Sequence, residues 1–399
     1  MLANSHRGLA AASAGSRPIV CLRRDRWRGK IAARTRTYVR IGRIARGSIR
    51  RPIVPERAGD TVPAVKVVEM QSKSLLNRVH GSYLPFRWSV NPYRGCVHAC
   101  VYCYARRYHE YLDMDPGAGF ERQVFVKVNA VAVLRRELAR PGWRRENVAI
   151  GTAVDAYQPV EGKYRLTRGI LEAFADFHTP CNLMTKNTMV VRDVDVLRAL
   201  AQGPGVKVGF SVTTLDPELA RRIEPDTPPP HQRLKALERL AAAGIHAGVL
   251  LAPVLPGLND DDASLRAVVR AAADHGARFL TSGVLRLQDG VRSVYGDFLR
   301  RDAPGLLPLY RRLYPGPYAP RGYQDRIYAR IAELKELYGF ADASRPLAAG
   351  GAAGAAEAGR RGAAAEAGKI RATRETNPAP TAAAGAKRFP VLPGQLTLF

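Results

Sequence analysis

The feature that most constrains the fold is a sixfold alternation of strand-like and helix-like segments between residues 86 and 340. The pattern predicts strands at 89–95, 147–153, 182–186, 206–214, 245–253 and 279–287. It predicts helices at 104–113, 128–140, 167–176, 191–201, 232–243 and 262–275. Consecutive β-then-α units with right-handed crossovers give a parallel sheet that curls. We therefore predict the α/β class, as a partial (β/α)6 TIM-like barrel with its chemistry at the carboxyl ends of the strands.

Glycines mark the ends of several predicted helices. Gly203, Gly244 and Gly276 each follow a run in which apolar residues recur with helical spacing. A glycine just beyond a helix often takes a positive φ, which other residues adopt only with strain. Each of the three is therefore predicted to end its helix with a positive φ.

Four regions are predicted from composition. Residues 1–65 are basic, with 15 Lys or Arg against 3 Asp or Glu in the first 60, and are predicted to be disordered. The next methionine after Met1 is Met70, which is consistent with a misplaced start codon. The alternative interpretations of this segment are a basic nucleic-acid arm and an Arg-rich transit peptide. Residues 66–343 form the barrel with C-terminal helices, 344–389 an Ala/Gly-rich linker, and 390–399 a terminal docking peptide.

Composition also narrows the cellular setting. No run reaches about 18 uncharged apolar residues, so no membrane span is predicted. The amino-terminal residues lack a convincing cleavage signal for secretion. The five cysteines do not resemble a disulfide framework, and a reducing cytoplasm is the predicted location. The net charge of +27 favours a polyanionic partner such as nucleic acid, since a basic surface attracts phosphate backbones.

Three cysteines lie on one short segment after the first predicted strand. The segment reads NPYRGCVHACVYCYAR and places the thiols at Cys96, Cys100 and Cys103. Three thiolates that converge in this way suit iron–sulfur chemistry or zinc. Structural zinc needs a fourth ligand, and Cys21 and Cys181 have no partner nearby, while His98 would have to share the loop. Three ligands on a four-iron cluster leave one iron open to a further ligand.

The x3-then-x2 spacing, with Tyr102 just before the last cysteine, resembles the signature of the radical S-adenosylmethionine (SAM) superfamily. The resemblance implies a [4Fe–4S] cluster bound by Cys96, Cys100 and Cys103, with SAM on the open iron and Tyr102 beside the cofactor. It also implies reductive cleavage of SAM to methionine and a 5′-deoxyadenosyl radical, which abstracts hydrogen from a substrate.

From about residue 85 to residue 340 the chain resembles the bacterial DNA-repair-photolyase-like radical SAM proteins, which are related to spore photoproduct lyase. The supporting segments include GTAVDAYQPVEGKYRLTRGILEAF, MTKNTMVVRDVDVL, VGFSVTTLDPELARRIEPDTPPPHQRLKAL and GVLLAPVLPGLND. The chain departs from that group at Ala156, where the group commonly has proline. The polar neighbours are retained, so we expect a change in loop stiffness rather than in chemistry.

Polar residues follow the second and third predicted strands. The second strand ends at Thr152 and leads to Asp155, Tyr157 and Gln158, which either cap a loop or contact SAM or substrate. By resemblance, Lys186 at the end of the third strand meets the SAM carboxylate. The alternative for Lys186 is a solvated side chain beside a helix start.

The fourth and fifth strands end in further candidates. By resemblance, Ser211 hydrogen-bonds SAM and the segment at Pro253 flanks the adenine ring. Glu224 is predicted either to accept from the ribose hydroxyls or amine of SAM or to pair with a nearby arginine. Asn259 and Asp260 are predicted to cap the following helix.

Cys181 is a candidate of a different kind. Some spore photoproduct lyase-like enzymes use an extra cysteine to donate hydrogen to the product radical, but nothing in the spacing identifies Cys181 as that residue. We interpret Cys181 as a buried structural thiol. This leaves the lyase reaction on spore-type thymine dimers without an identified hydrogen donor.

The last five residues, QLTLF, resemble the pentapeptide by which bacterial polymerases and repair proteins bind the DNA sliding clamp. In this mode Gln395 and Leu396 begin the motif, Gln395 making hydrogen bonds, while Leu398 and Phe399 enter an apolar cleft. The alternative is a tail that folds back onto its own barrel. The peptide and the basic charge together favour DNA over RNA as the partner.

The sequence as a whole predicts a cytoplasmic radical SAM enzyme that acts on nucleic acid, with lyase-like DNA lesion repair as the leading reaction. A flavodoxin or ferredoxin is implied as electron donor. The alternatives are radical modification of RNA or protein, and a non-catalytic iron–sulfur module that binds DNA or the clamp.

Deleting residues 395–399 should weaken binding to a bacterial sliding clamp by at least about tenfold, because the deletion removes the anchoring side chains. Titration of the clamp with the full-length and shortened chains measures the effect. Thr397→Ala is the matched control, since it leaves the anchors in place and should bind normally. Equal affinity of the full-length and shortened chains would contradict the motif.

Overall fold

The structure is a computed structural model, and it describes residues 65–79, 86–110 and 113–340. The strands in these residues are Lys66–Met70 (β1), Asn77–Arg78 (β2), Trp88–Val90 (β3), Tyr93–Arg94 (β4), Gln123–Lys127 (β5), Val148–Ile150 (β6), Cys181–Thr185 (β7), Val206–Ser211 (β8), His246–Val254 (β9) and Leu280–Val284 (β10).

Helices alternate with most of these strands. The α-helices of the described residues are Arg107–Glu110 (α1), Ala118–Arg122 (α2), Ala130–Leu138 (α3), Glu161–Tyr164 (α4), Leu166–Asp176 (α5), Val194–Gln202 (α6), Pro217–Ile223 (α7), Pro230–Ala242 (α8), Asp262–Asp274 (α9), Val291–Asp302 (α10), Leu307–Leu313 (α11) and Arg321–Leu337 (α12). Short 3-10 helices are formed by Tyr104–Arg106, Thr188–Asp193 and Pro304–Leu306.

The main sheet confirms the predicted fold class. Its order is β10-β9-β8-β7-β6-β3-β2, and every pair is parallel except β2 with β3. Nearly every residue of β8 and β9 is buried, as expected of parallel strands with both faces covered. The edge strands are not paired with each other, so the chain forms an open, partial (β/α)6 barrel.

The first predicted strand, 89–95, is divided in two. Trp88–Val90 joins the main sheet, whereas Tyr93–Arg94 pairs with β5 in a separate sheet of order β1-β5-β4. Pro92 explains the division, because it has no N–H to donate to a continuing ladder. The second sheet was not predicted, since β1 and β5 pair across a long stretch of chain.

The predicted helices are found with shifted ends. The segment 191–201 begins as the 3-10 helix Thr188–Asp193 and continues as α6. The segment 104–113 is a 3-10 helix followed by α1, and residues 111 and 112 lie outside the described residues. The prediction for Gly203 was wrong: its φ is −108°, and the positive φ of this turn lies at Gly205. Gly244 and Gly276 have the predicted positive φ.

Three helices follow the sixth barrel strand. In α12 the buried residues Ile327, Ile331 and Leu334 recur at helical spacing, and the helix packs against α9 and β10. The hydroxyls of Tyr295 in α10 and Tyr310 in α11 are 2.7 Å apart in the core. Helix α12 therefore covers the part of the open barrel next to β10, its last strand. Among the described residues, no helix is both long and apolar enough to cross a membrane.

Gly95→Ala should lower the free energy of unfolding by about 2 kcal/mol or more, because it adds a Cβ where none fits. Gly95 has φ +75°, and a Cβ there would lie 1.9 Å from the Gln123 carbonyl oxygen. Gly162→Ala in α4 is the control, since its Cβ meets no atom within 4 Å. Chemical denaturation measures both variants, and equal stability of the two would contradict the analysis of the turn.

Candidate active site at the mouth of the barrel

The cysteine loop leaves the second sheet and runs over the carboxyl ends of the barrel strands. The Cys96 amide donates to the Phe120 carbonyl at 2.9 Å, and the Val101 amide donates to the Ile223 carbonyl at 3.0 Å. Cys96 and Cys100 are buried and Cys103 is partly exposed. The loop is therefore tied to α2 on one side and to α7 on the other.

Arg106 holds the cysteine loop through its backbone. Its fully buried guanidinium donates to the Cys100 carbonyl from Nε at 3.1 Å and from Nη2 at 2.8 Å. Nη1 binds the Pro116 carbonyl at 2.9 Å, and Glu121 supplies the countercharge at 2.5 Å. No local pattern marks this role beyond an arginine soon after the last cysteine.

The thiols suit a cationic metal centre. Burial raises the pKa of Cys96 to about 12 and also raises that of Cys100, so their thiolates need a strong positive partner. Within the described ranges no three Cys, His, Asp or Glu side chains converge closely enough to hold one metal ion. A cluster does not require such convergence, since each cysteine binds a different iron.

The residues considered as a fourth zinc ligand have other surroundings in the described part of the chain. The buried His98 places Nδ1 3.4 Å from Asp155 Oδ2, and burial lowers the pKa of its ring. Cys181 begins β7, whose five residues place it about 13 Å from the end of the strand at the mouth. Cys21 lies outside the described residues.

Asp155 joins three segments at the mouth. Its Oδ1 accepts from the Thr185 hydroxyl at 2.7 Å and from the Tyr157 amide at 2.9 Å. Its Oδ2 accepts from the Lys186 amide at 2.7 Å and faces His98. This carboxylate therefore positions the β7 end against the loop after β6, which is the loop-capping alternative of the sequence prediction.

Gln158 contacts the cysteine loop directly. Its fully buried side chain donates from Nε2 to Cys96 Sγ at 3.2 Å. Its Oε1 accepts from the Val97 amide at 3.0 Å. The neighbouring Tyr157 points away from the mouth and donates to Asp193 Oδ2 at 3.0 Å. The structure thus brings Gln158 to the cysteines, whereas Tyr157 is buried beside Asp193 and does not contact them.

Glu224 lies in a buried ion pair at the end of α7. Its Oε2 is 2.5 Å from Arg233 Nη2, and its Oε1 accepts from the Tyr102 hydroxyl. The Thr213 hydroxyl is 3.0 Å from the same Oε1. Burial alone would raise the pKa of Glu224, but the charges of Arg233 and Lys186 outweigh it and lower the pKa to about 2. The arginine alternative of the sequence prediction is therefore present, with Arg233 as the partner.

Lys186 faces the centre of the mouth. Its Nζ lies 5.6 Å from the centroid of the Tyr102 ring. Burial would lower the pKa of Lys186, but the thiolate form of Cys100 and the ionised Glu224 outweigh burial, and the pKa is raised. Lys186 therefore keeps its proton at neutral pH and presents a cation beside the cysteine loop.

The ends of β8 and β9 complete the mouth. The buried Ser211 hydroxyl donates to the Ala252 carbonyl at 3.3 Å. Pro253 is partly exposed, and Asn259 braces the turn after it by accepting from the Leu255 amide at 2.6 Å. The capping prediction for Asn259 and Asp260 was wrong, because Asp261 caps α9 by accepting from the Ser264 amide. The candidates Gln395, Leu396, Leu398 and Phe399 lie outside the described residues.

Comparisons with known proteins identify the family to which the chain belongs. Residues 90–267 match the Radical SAM superfamily. A relative from Mycobacterium tuberculosis (strain ATCC 25618 / H37Rv), described as an uncharacterized protein, is 45% identical over 280 residues, which are 70% of this chain and 82% of that protein. An uncharacterized protein of Methanocaldococcus jannaschii is 26% identical over 198 residues, covering 49% of this chain and 70% of its own.

A solved structure has a similar fold. It is spore photoproduct lyase complexed with dinucleoside spore photoproduct, and it aligns with a TM-score of 0.51 at 17% sequence identity. The alignment covers 68% of this chain and 79% of that chain. At this identity the likeness is evidence for the fold.

Glu224→Gln should lower the free energy of unfolding by about 3 kcal/mol at pH 7, because it leaves Arg233 buried without its countercharge. The pKa of Glu224 is about 2 in the folded chain against 4.5 for a free glutamate, so its ionised form stabilises the fold above pH 4.5. The difference between wild type and variant should therefore shrink as pH falls from 4.5 towards 2.

Chemical denaturation at a series of pH values measures this difference. Glu218→Gln, at an exposed position of α7, is the matched control and should change stability by less than about 0.5 kcal/mol. A Glu224→Gln effect that stays constant over the acidic range would contradict the ion pair.

Proposed function

Since the chain belongs to the radical SAM superfamily, and is therefore an enzyme that binds a [4Fe–4S] cluster and SAM, we propose that it acts on nucleic acid, with lesions in DNA as its substrate class. The cluster, when bound, supplies the electron that cleaves SAM into methionine and a 5′-deoxyadenosyl radical. Cys96, Cys100 and Cys103 hold the cluster in this proposal.

The residues around the cysteine loop bind and orient SAM. The Lys186 ammonium attracts the SAM carboxylate, and the burial of its surroundings strengthens that attraction. Glu224 and Tyr102 line the space next to Lys186, and the charge of Arg233 keeps Glu224 ionised. Ser211 and Pro253, at the ends of neighbouring strands, border the space for the adenosine part.

The observation that carries the proposed substrate class is a cavity of about 450 Å³ next to α1, the helix that follows the cysteine loop in the chain. It lies between α1 and the loop after β10, and its lining includes Arg107, Glu110, Gln288 and Arg292. Arg107 donates to Gln288, and Arg292 donates to the carbonyls of Tyr314 and Gly316, so the concave surface is polar and its side chains are held in place. Such a surface suits the polar edge of a nucleobase.

Two exposed tyrosines follow lining residues in the sequence. Tyr108 follows the lining residue Arg107, and Tyr318 follows the lining residue Pro317. The Arg286 guanidinium stacks on the Tyr318 ring at 4.7 Å from its centroid. Aromatic faces next to arginines provide stacking surfaces for bases, and such stacking is typical of proteins that bind single-stranded or extruded nucleotides. The net charge of +27 adds attraction for the phosphate backbone.

DNA is favoured over RNA by two further observations. The similar fold of spore photoproduct lyase has been solved with a dinucleoside photoproduct bound to it. The terminal pentapeptide is of the kind that binds the DNA sliding clamp. A flavodoxin or ferredoxin in the cytoplasm is proposed as the source of the electron.

The direct test incubates anaerobically reconstituted full-length protein with SAM and dithionite and measures 5′-deoxyadenosine. We expect the rate of 5′-deoxyadenosine release to rise by roughly several-fold when UV-irradiated duplex DNA is added. The reason is that a bound substrate contributes interactions that lower the barrier of the chemical step. Undamaged duplex and RNA of the same sequence are the comparison substrates. Stimulation by RNA alone would replace the DNA proposal by RNA modification.

Two cysteine variants separate the cluster from the rest of the fold. Cys100→Ala should lose 5′-deoxyadenosine release, because it removes a cluster ligand. Cys181→Ala is the matched control, since Cys181 lies at the opposite end of its strand from the mouth, and it should remain active. Wild-type protein that carries the cluster but releases no 5′-deoxyadenosine would instead support a non-catalytic binding module.

A further inference from the structure

The amide group of Gln158 lies between the backbone of the cysteine loop and a cluster sulfur. Gln158 comes from the loop before α4, and its side chain is fully buried. Its Nε2 is 3.2 Å from Cys96 Sγ and 3.2 Å from the Asp155 carbonyl oxygen, while its Oε1 is 3.0 Å from the Val97 nitrogen. All the polar groups of this amide therefore have partners.

The orientation of the amide is determined by chemistry. The Val97 N–H can only donate, so it requires the carbonyl oxygen of Gln158 on its side. The two hydrogens of Nε2 then point to the Asp155 carbonyl and to Cys96 Sγ, both of which accept. A flipped amide would place two donors against the Val97 N–H and the carbonyl oxygen against a thiolate, so a single orientation satisfies the site.

A hydrogen bond to a cluster sulfur affects the two oxidation states unequally. Reduction adds one electron from the donor, and part of that negative charge resides on the sulfurs. A donor aimed at Cys96 Sγ therefore stabilises the reduced state more than the oxidised state, and hydrogen bonds to the sulfurs are one of the factors that set the potentials of such clusters. Burial strengthens the effect, because no water competes for the sulfur.

We propose that Gln158 is a positioning residue that makes the cluster easier to reduce by donating a hydrogen bond to the Cys96 sulfur. This differs from a contact with SAM or substrate, which the sequence allowed for the same residue. The proposal rests on the cluster bound by the three cysteines and not on the identity of the substrate.

The test uses full-length protein, reconstituted anaerobically and free of SAM, with Gln158→Leu and Gln158→Glu as variants. Gln158→Leu removes the donor to the sulfur, whereas Gln158→Glu, whose buried carboxyl is protonated, still offers a single O–H in its place. We expect both to bind as much iron as the wild type. At a fixed potential the ratio of reduced to oxidised cluster should fall by about tenfold in Gln158→Leu, as expected for a hydrogen bond to a charged group, and by less in Gln158→Glu.

A redox titration followed by electron paramagnetic resonance (EPR) measures that ratio. Tyr157→Phe is the matched control, because Tyr157 is adjacent and buried but binds Asp193 rather than a sulfur. It should titrate like the wild type. An equal shift in Tyr157→Phe would show a general effect of packing and overturn the proposal. An unchanged potential in Gln158→Leu with weaker SAM binding would overturn it in favour of a SAM contact.

A second measurement covers the case in which the variants lose iron. Wild-type protein with ¹⁵N in the glutamine side-chain amides is reduced and studied by pulsed EPR without SAM. The proposal predicts a nitrogen coupling from the glutamine amide, together with an exchangeable proton coupling. Absence of the nitrogen coupling would overturn it. Protein that binds no cluster at all would instead refute the assignment of the cysteines, so the two failures are distinguishable.

Discussion

Two buried carboxylates at the mouth of the barrel hold the site together. A charge removed from water destabilises a fold unless partners surround it, so each carboxylate has to gather donors from several chain segments. Asp155 binds the end of β7 and faces the cysteine loop, while Glu224 binds Arg233 from α8 and Tyr102 from the loop. The need to satisfy these groups fixes the loop relative to the strands.

Hydrogen bonds from buried side chains also hold the cysteine loop in place. Its carbonyl at Cys100 receives the guanidinium of Arg106, and the sulfur of Cys96 receives the amide of Gln158. The thiols are therefore oriented by hydrogen bonds to their own loop and its neighbours. Such preorganisation suits a group whose reactivity depends on geometry and on the charge around it. Lys186 then places a cation beside the same loop, where an anionic part of SAM is expected.

The barrel could be predicted because its signals are local. Each of the six strands is a short apolar segment followed by a helix with its own apolar period. The six parallel strands of the main sheet overlap the predicted segments, and three of them extend one residue beyond the predicted bounds. The small sheet could not be predicted, since Lys66–Met70 meets Gln123–Lys127 only in three dimensions. Gly203 ends α6 as predicted but with a negative φ, and the positive φ of this turn lies two residues later, at Gly205.

The position of the cysteine loop could be predicted from the sequence, whereas the buried side chains that support it could not. The spacing of the three cysteines is a property of the sequence, whereas the burial of Arg233 and Arg106 is a property of the fold. An arginine on a helix is usually solvated, and nothing local marks one that neutralises a carboxylate in the core. The helix cap is a similar case, because Asn and Asp side chains can both cap a helix. In the fold, Asn259 accepts from the Leu255 amide in the turn after Pro253, and Asp261 caps the helix.

The most direct measurement is EPR of the anaerobically reconstituted and reduced protein, recorded before and after SAM is added. Three cysteines that bind a four-iron cluster leave one iron for SAM, so we expect the signal of a reduced [4Fe–4S] cluster and a change in that signal when SAM binds. A colourless protein that contains zinc or no metal, or a cluster signal that SAM leaves unchanged, would contradict the assignment of Cys96, Cys100 and Cys103.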